Sequence, residues 1–308
     1  MNNPSDLTAI DIKELTKIYG HKKAVNGLTT TVAKGDIYGL VGPNGAGKTT
    51  TIRMLAGLVF PSGGDALIMG HSIRTDIRQT SLKTGFMMET PAFYPHLSGF
   101  DNLLVYFHSL GGSKDSRIKE VLQEVGLSKD ARVAYKNYSL GMKKRLDLAR
   151  LLIKDPDIFI LDEPTNGLDP FGVQWIHELL LDMANSGKTI LFSSHLLHDV
   201  EKLCTKVAFI NNGHIIHEER INRNMNELVS VKLRFPNKAI LENALPDIDH
   251  QITRYVNDDS LIMDVSRSSL EHVLQSLAKR NIYPTEVVAQ DRLEKLFFKL
   301  MGKEENQQ

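Results

Sequence analysis

Gly42-Pro43-Asn44-Gly45-Ala46-Gly47-Lys48-Thr49 separates two segments of different texture. Before it lies the short apolar run Ile37-Tyr38-Gly39-Leu40-Val41, which reads as a buried strand. After it, residues 48–58 space their apolar positions as a helix does. Strand, glycine-rich loop and helix in that order make a phosphate-binding loop. Glycines let the backbone come close to a triphosphate, so that its N–H groups and the helix N-terminus hold the anion. Lys48 is expected on the β and γ phosphates and the Thr49 hydroxyl on Mg²⁺. The pattern arises by chance in roughly one chain of this length per hundred. Its placement between strand and helix makes a mere glycine-rich turn the poorer account.

Outward from that loop, two further apolar runs follow helical stretches: Ile158-Phe159-Ile160-Leu161 and Thr189-Ile190-Leu191-Phe192. Near-continuous apolar strands alternating with helices predict an α/β fold, a mostly parallel sheet covered on both faces. Asp162 and Glu163 close the first of these strands. Carboxylates there point into the crevice where open α/β sheets bind ligands. The first acid can hold Mg²⁺; the second can take a proton from an attacking water. Alone, such a pair is more often turn chemistry, but behind a phosphate loop the catalytic reading prevails. His195 follows the second strand and the pair Ser193-Ser194, and its functional reading depends on the other motifs. Upstream, residues 8–40 read as strands broken by turns, and residues 89–150 lean helical, with apolar positions at helical spacing in 118–125 and 146–153.

The bulk properties narrow the function. The 308 residues suffice for one large domain and a smaller one. Lys plus Arg equals Asp plus Glu at 37 each, so no net charge draws the chain onto nucleic acid, and none is expected as a partner. The single cysteine, Cys204, excludes an internal disulfide, fits a reducing compartment and is read as packing. No apolar run approaches the roughly 18 to 20 residues that span a bilayer, and residues 1–6 lack the apolar core of a signal peptide. The expectation is a cytoplasmic protein that reaches a membrane only by docking to something that crosses it.

After about residue 222 the texture changes. Residues 229–235 read as a strand, 238–244 as a helix, 252–256 and 261–265 as a hairpin, 269–279 as a helix, 285–289 as a strand and 291–301 as a closing helix. The order β-α-β-β-α-β is the ferredoxin-like pattern. The expected domains are therefore 1–222 and an α+β accessory domain at 223–308, with a polar, disordered tail at 302–308.

The motif set resembles the ATP-binding cassette proteins, the P-loop NTPase subunits of ABC transporters, from about residue 8 to 222. The resemblance implies an antiparallel N-terminal sheet and a helical subdomain at about 89–150 beside the parallel sheet. It implies that Tyr19 stacks on adenine, that Gly42, Pro43, Asn44, Gly45, Ala46, Gly47, Lys48, Thr49 and Thr50 form the Walker A loop, and that Asp162 and Glu163 are the Walker B acid and the catalytic glutamate. Tyr138-Ser139-Leu140-Gly141-Met142 resembles the family signature that reaches ATP held by a partner subunit, through Ser139 and Gly141. Asn166-Gly167-Leu168-Asp169 resembles the D-loop, with Asp169 at the nucleotide, and His195 the switch histidine. Ser139 is also a good N-cap, and the free N–H groups behind it form a second anion site; two such sites in one chain suggest a head-to-tail dimer enclosing two ATP molecules.

Two departures from the family pattern carry information. Glu89 stands where most cassettes have glutamine, keeping a ligand for Mg²⁺ but losing the amide donors. Leu140 and Met142 replace a glycine and a glutamine of the signature. Both are similar to the branch of exporters conferring bacitracin resistance or lantibiotic self-immunity. The implied protein is an ATP-hydrolysing subunit, a homodimer or heterodimer using ATP and Mg²⁺, docked to transmembrane permease subunits on separate chains. Phe93, Tyr94 and Leu97, in the groove beside Glu89, either grip a helix of that partner or pack the helical subdomain. A soluble cassette ATPase working on ribosomes or DNA, and an importer subunit with a regulatory C-terminal domain, stay open as alternatives.

Overall fold

A computed structural model describes residues 7–112, 115–221, 229–248, 253–256 and 259–290, together with 293, 296, 297 and 300. The chain divides into two compact units, Met1–Arg220 and Ile221–Gln308.

The first unit is built on a six-stranded sheet. Its centre is β3 (Ile37–Val41), β8 (Thr189–Ser194) and β7 (Ile158–Asp162), every residue of which is buried. That burial is why their sequences are nearly unbroken apolar runs. The spatial order is β10 (His214–Arg220), β9 (Lys206–Asn211), β3, β8, β7, β6 (Thr84–Met87), parallel throughout except for β10. Successive side chains of a strand face opposite sides. Tyr38, Leu40, Ile158, Ile160 and Leu191 thus join one core with Ile52 and Leu55 of α1 (Lys48–Leu55). The same core takes in Ile10, Leu15, Leu28 and Ala66 from a second, antiparallel sheet of β1 (Thr8–Tyr19), β2 (Lys22–Ala33), β4 (Gly63–Ile68) and β5 (His71–Ser72), in the order β2-β1-β4-β5. Helix α2 (Ile77–Lys83) leads into β6. Helix α1 stops at Leu55, short of the expected residue 58, because Gly57 turns the chain out at φ +72°.

The helical part comprises α3 (Gly99–Ser109), α4 (Ser116–Glu124) and α5 (Leu140–Lys154). Ser98 and Ser139 cap α3 and α5 by accepting from the N–H groups of Asp101 and Met142. Helix α5 covers the expected helical spacing at 146–153 and is closed by Asp155, in the left-handed region at φ 49°. Helices α6 (Pro170–Asn185) and α7 (Leu197–Leu203) complete the unit. Cys204, behind α7, is fully buried: a methyl group on Gly39 of β3 would lie 2.6 Å from its sulfur.

The second unit runs β11 (Val229–Arg234), α8 (Lys238–Ala244), β12 (Thr253–Val256), β13 (Ser260–Val265), α9 (Arg267–Lys279) and β14 (Glu286–Gln290). Its sheet order is β12-β13-β11-β14 with antiparallel neighbours, the ferredoxin-like arrangement. Val231, Leu233, Phe235, Leu241, Leu261, Met263 and Leu277 form a core of its own. The expected closing helix at 291–301 falls mostly, and the tail at 302–308 wholly, outside the described residues.

Candidate functional site

Strand β3 delivers the chain into the glycine-rich loop, and α1 leaves it. Gly42 has no room for a side chain, since a Cβ would come within 2.2 Å of the Ile210 carbonyl oxygen on β9. Gly47 precedes α1 at φ 112°, a region closed to ordinary side chains. The loop therefore curls tightly around the start of α1, which aims its first N–H groups into the concavity. Lys48 folds back under this loop: its Nζ donates to the carbonyls of Gly42 at 2.6 Å and Pro43 at 3.2 Å. The side chain is almost wholly buried, and burial draws its pKa below the ordinary lysine value, while the nearby Glu163 carboxylate opposes that shift.

The acids arrive on the end of β7. Asp162 is fully buried, and its Oδ1 accepts from the Thr49 hydroxyl at 3.1 Å and the Ser193 hydroxyl at 2.7 Å. Its Oδ2 is buried without a hydrogen-bond partner. Burial holds this carboxyl above the usual carboxylate range, with the two hydroxyls pulling it back. An orphaned carboxylate oxygen beside a threonine hydroxyl, with further acids nearby, is a donor set that fits a hard divalent cation. Glu163 follows in the left-handed region at φ 49°, with its N–H donating to Ser193 Oγ at 3.0 Å. Its Oε1 lies 3.7 Å from Lys48 Nζ, and its Oε2 lies 2.9 Å from His195 Nδ1.

Around these groups opens a cleft of about 550 Å³. Tyr19, the loop from Asn44 to Thr50, Glu89, Glu163 and His195 all line it. Pro43 lines an adjoining hollow with Lys22 and Asn44, and Gly42 and Asp162 lie beneath the surface. Tyr19 is half-exposed, with the Lys17 ammonium 5.1 Å from its ring centre. Glu89 Oε1 accepts from the Asn166 side-chain amide at 3.0 Å. Ser139, Gly141 and Asp169 do not reach this cleft: Ser139 caps α5, and Asp169 caps α6 by accepting from Gly172 N–H at 2.7 Å. Of the three groove residues, Phe93 meets Tyr135 in a tilted contact with ring centres 5.2 Å apart and Leu97 is partly buried, leaving Tyr94 exposed.

Three residues at the site were not singled out by sequence reasoning. Ser193 ties Asp162 to the Glu163 backbone. Asn166, seen only as part of a loop motif, lines the cleft. Lys144 of α5, almost fully buried, donates from Nζ to the carbonyls of Glu163, Pro164 and Asn166 at 2.8, 3.0 and 2.7 Å. Burial pulls its pKa down to about 8, with Glu89, Glu163 and Asp162 opposing. Nothing local marks Ser193 or Lys144; a hydroxyl after an apolar strand and one lysine of a Lys-Lys pair are ordinary surface signals.

Comparison with known proteins gives a consistent result. The family model described as ABC transporter matches residues 25–166. The chain is 37% identical over 302 residues to the bacitracin transport ATP-binding protein BcrA of Bacillus licheniformis, covering 96% of this chain and 98% of that relative. It is 40% identical over 229 residues to the lantibiotic transport ATP-binding protein SrtF of Streptococcus pyogenes, covering 73% of this chain and 98% of that one. A solved ATP-binding subunit of an ABC transporter superposes with a TM-score of 0.64 at 27% identity, covering 70% of this chain and 90% of that structure.

Proposed function

The chain belongs to the ABC transporter family as an ATP-binding, ATP-hydrolysing subunit, and from that premise we propose that it drives export of a peptide antibiotic or similar amphipathic compound through membrane subunits on other chains. The observation that carries the catalytic part is the Glu163 carboxylate, held between Lys48 and His195 at the mouth of the phosphate loop. The export part rests on likeness along nearly the whole chain, second unit included, to a bacitracin transport ATP-binding protein.

In this reading Gly42 to Thr50 cradle the triphosphate, Tyr19 stacks on adenine, and Lys48 meets the β and γ phosphates. Thr49 and Asp162, with Glu89 in the lining of the cleft, would hold Mg²⁺. The ion, when bound, neutralises charge on the phosphate oxygens. Glu163 Oε1 receives the proton of the attacking water, and His195 fixes Oε2 and reaches the γ phosphate. Hydrolysis is expected to fall to background in excess EDTA and to return with added Mg²⁺; undiminished turnover under chelation would remove the metal from the scheme.

Ser139, Gly141 and Asp169 point to a second subunit, identical or related. They lie away from their own chain's cleft: Ser139 and Gly141 at the N-terminus of α5, whose first N–H groups suit an anion, and Asp169 at the N-cap of α6. The 1–222 portion forms the cassette and 223–308 an accessory domain that reinforces the pair. Among the described residues no helix is long and apolar enough to cross a membrane, so the membrane-spanning part is assigned to partner chains at the cytoplasmic face, met near Glu89 and Tyr94. A tagged chain purified from detergent-solubilised host membranes should bring down a polytopic membrane protein, with ATPase activity in the eluate. Recovery of ribosomes or DNA-bound proteins, with no membrane partner, would overturn the transport assignment.

A further inference from the structure

We propose that Lys144 is a positioning residue for ATP hydrolysis: from inside α5 its ammonium group fixes the 163–166 loop, and with it the Glu163 carboxylate and the Asn166 amide, at the edge of the cleft. The proposal rests on the reading of Glu163 as the base.

An ammonium group has three donors and no acceptor. Lys144 uses all three on one loop, bonding the main-chain carbonyls of Glu163, Pro164 and Asn166. Among the described residues no carboxylate touches it, so this nearly fully buried charge is held by carbonyl dipoles at contact, with Glu89, Glu163 and Asp162 favouring it from farther away. Burying an ammonium group is costly; a methionine of similar length would avoid that cost but leave the three carbonyls without this donor. The arrangement gains in return a rigid loop where the backbone is least inclined to be rigid. Glu163 sits in the left-handed region, which is disfavoured for a residue with a side chain. It is pinned from both ends: Ser193 Oγ accepts from its N–H, while Lys144 and the Asn166 N–H donate to its carbonyl, the latter at 3.2 Å. At the other end of the loop, the Asn166 side-chain amide donates to Glu89, and both line the cleft. Lys144 itself does not line the cleft and touches no position assigned to nucleotide. It acts through the loop, and a misplacement of about 1 Å at a reacting group costs on the order of 100-fold in rate.

The test is steady-state ATP hydrolysis by the purified full chain, with affinity measured by a fluorescent ATP analogue and folding by thermal unfolding. Lys144→Met is expected to lower kcat about 100-fold while KM and analogue affinity stay within about threefold. Lys144→Gln, which keeps two N–H donors, is expected to recover about tenfold of that loss, a rescue that mere filling of space does not provide. Should the methionine variant lose its cooperative unfolding transition, the glutamine variant carries the same readout, with kcat reduced and affinity held. A kcat within about threefold of wild type in the folded variants, with Glu163→Gln inactive, would overturn the positioning role and leave the base intact. A parallel fall of kcat and affinity would reduce Lys144 to a structural residue. Full turnover in Glu163→Gln would instead overturn the reading on which the proposal stands.

Discussion

Replacing Glu163 by glutamine is expected to lower ATP turnover by about 10²–10⁴-fold, the range that general-base catalysis contributes, while ATP stays bound. The substitution keeps the shape of the side chain, which matters because Glu163 is only 7% exposed and its backbone is already held at φ 49°. It keeps an oxygen able to meet His195 Nδ1, now 2.9 Å from Oε2. What it removes is the basicity of the carboxylate and one negative charge 3.7 Å from Lys48. Taking a negative charge from beside a triphosphate site raises affinity or leaves it unchanged, so loss of turnover separates cleanly from loss of binding. Because hydrolysis is what would reopen an ATP-closed pair, the variant should also accumulate as an ATP-dependent dimer, read by size-exclusion chromatography with and without nucleotide. Turnover near the wild-type rate would remove Glu163 from its role, and with it the account of why Lys48 and His195 flank that carboxylate.

The parts legible in the sequence are those whose physics is local. β3, β7 and β8 are buried on both faces, so their composition alone announces them. The phosphate loop is written in glycines because Gly42 lies against the Ile210 carbonyl and Gly47 needs its positive φ. Asp162 and Glu163 are readable because a strand end behind such a loop fixes where they point. Lys144 and Ser193 are another matter. Lys144 is adjacent to Lys143, and nothing in the helical period of α5 distinguishes a lysine bound for solvent from one bound for three carbonyls about twenty residues downstream. Ser193 reads as the polar end of an apolar strand, yet its single hydroxyl serves two consecutive acidic residues. Such long-range polar contacts have no periodicity, so only the folded chain reveals them. Phe93 marks another limit: in the sequence its aromatic ring fits a docking surface and a packed helical part equally, and only its contact with Tyr135 favours packing.

Lys48→Met is expected to weaken ATP binding by about 30- to 150-fold, the equivalent of roughly 2–3 kcal/mol. The reasoning is electrostatic. Glu89 and Glu163 line the cleft and Asp162 lies beneath it, so a polyanion approaching the phosphate loop meets three carboxylates. Lys48 Nζ, anchored on the Gly42 and Pro43 carbonyls, is a buried cation at the phosphate loop, where the proposed function puts the phosphates. A buried, desolvated charge acts in a low-dielectric setting and is worth far more there than at the surface. Methionine preserves the packing of the stem against the loop, so the folding transition should move little while affinity for the fluorescent ATP analogue collapses. This is the opposite signature to that expected of Lys144→Met, which spares affinity and lowers kcat. The two lysines share burial and carbonyl partners; they differ in whether the charge faces the ligand or the loop that carries the base. If Lys48→Met bound ATP as tightly as wild type, the phosphates would have to be held by backbone N–H groups alone, and the convergence of acids around Lys48 would need a different explanation.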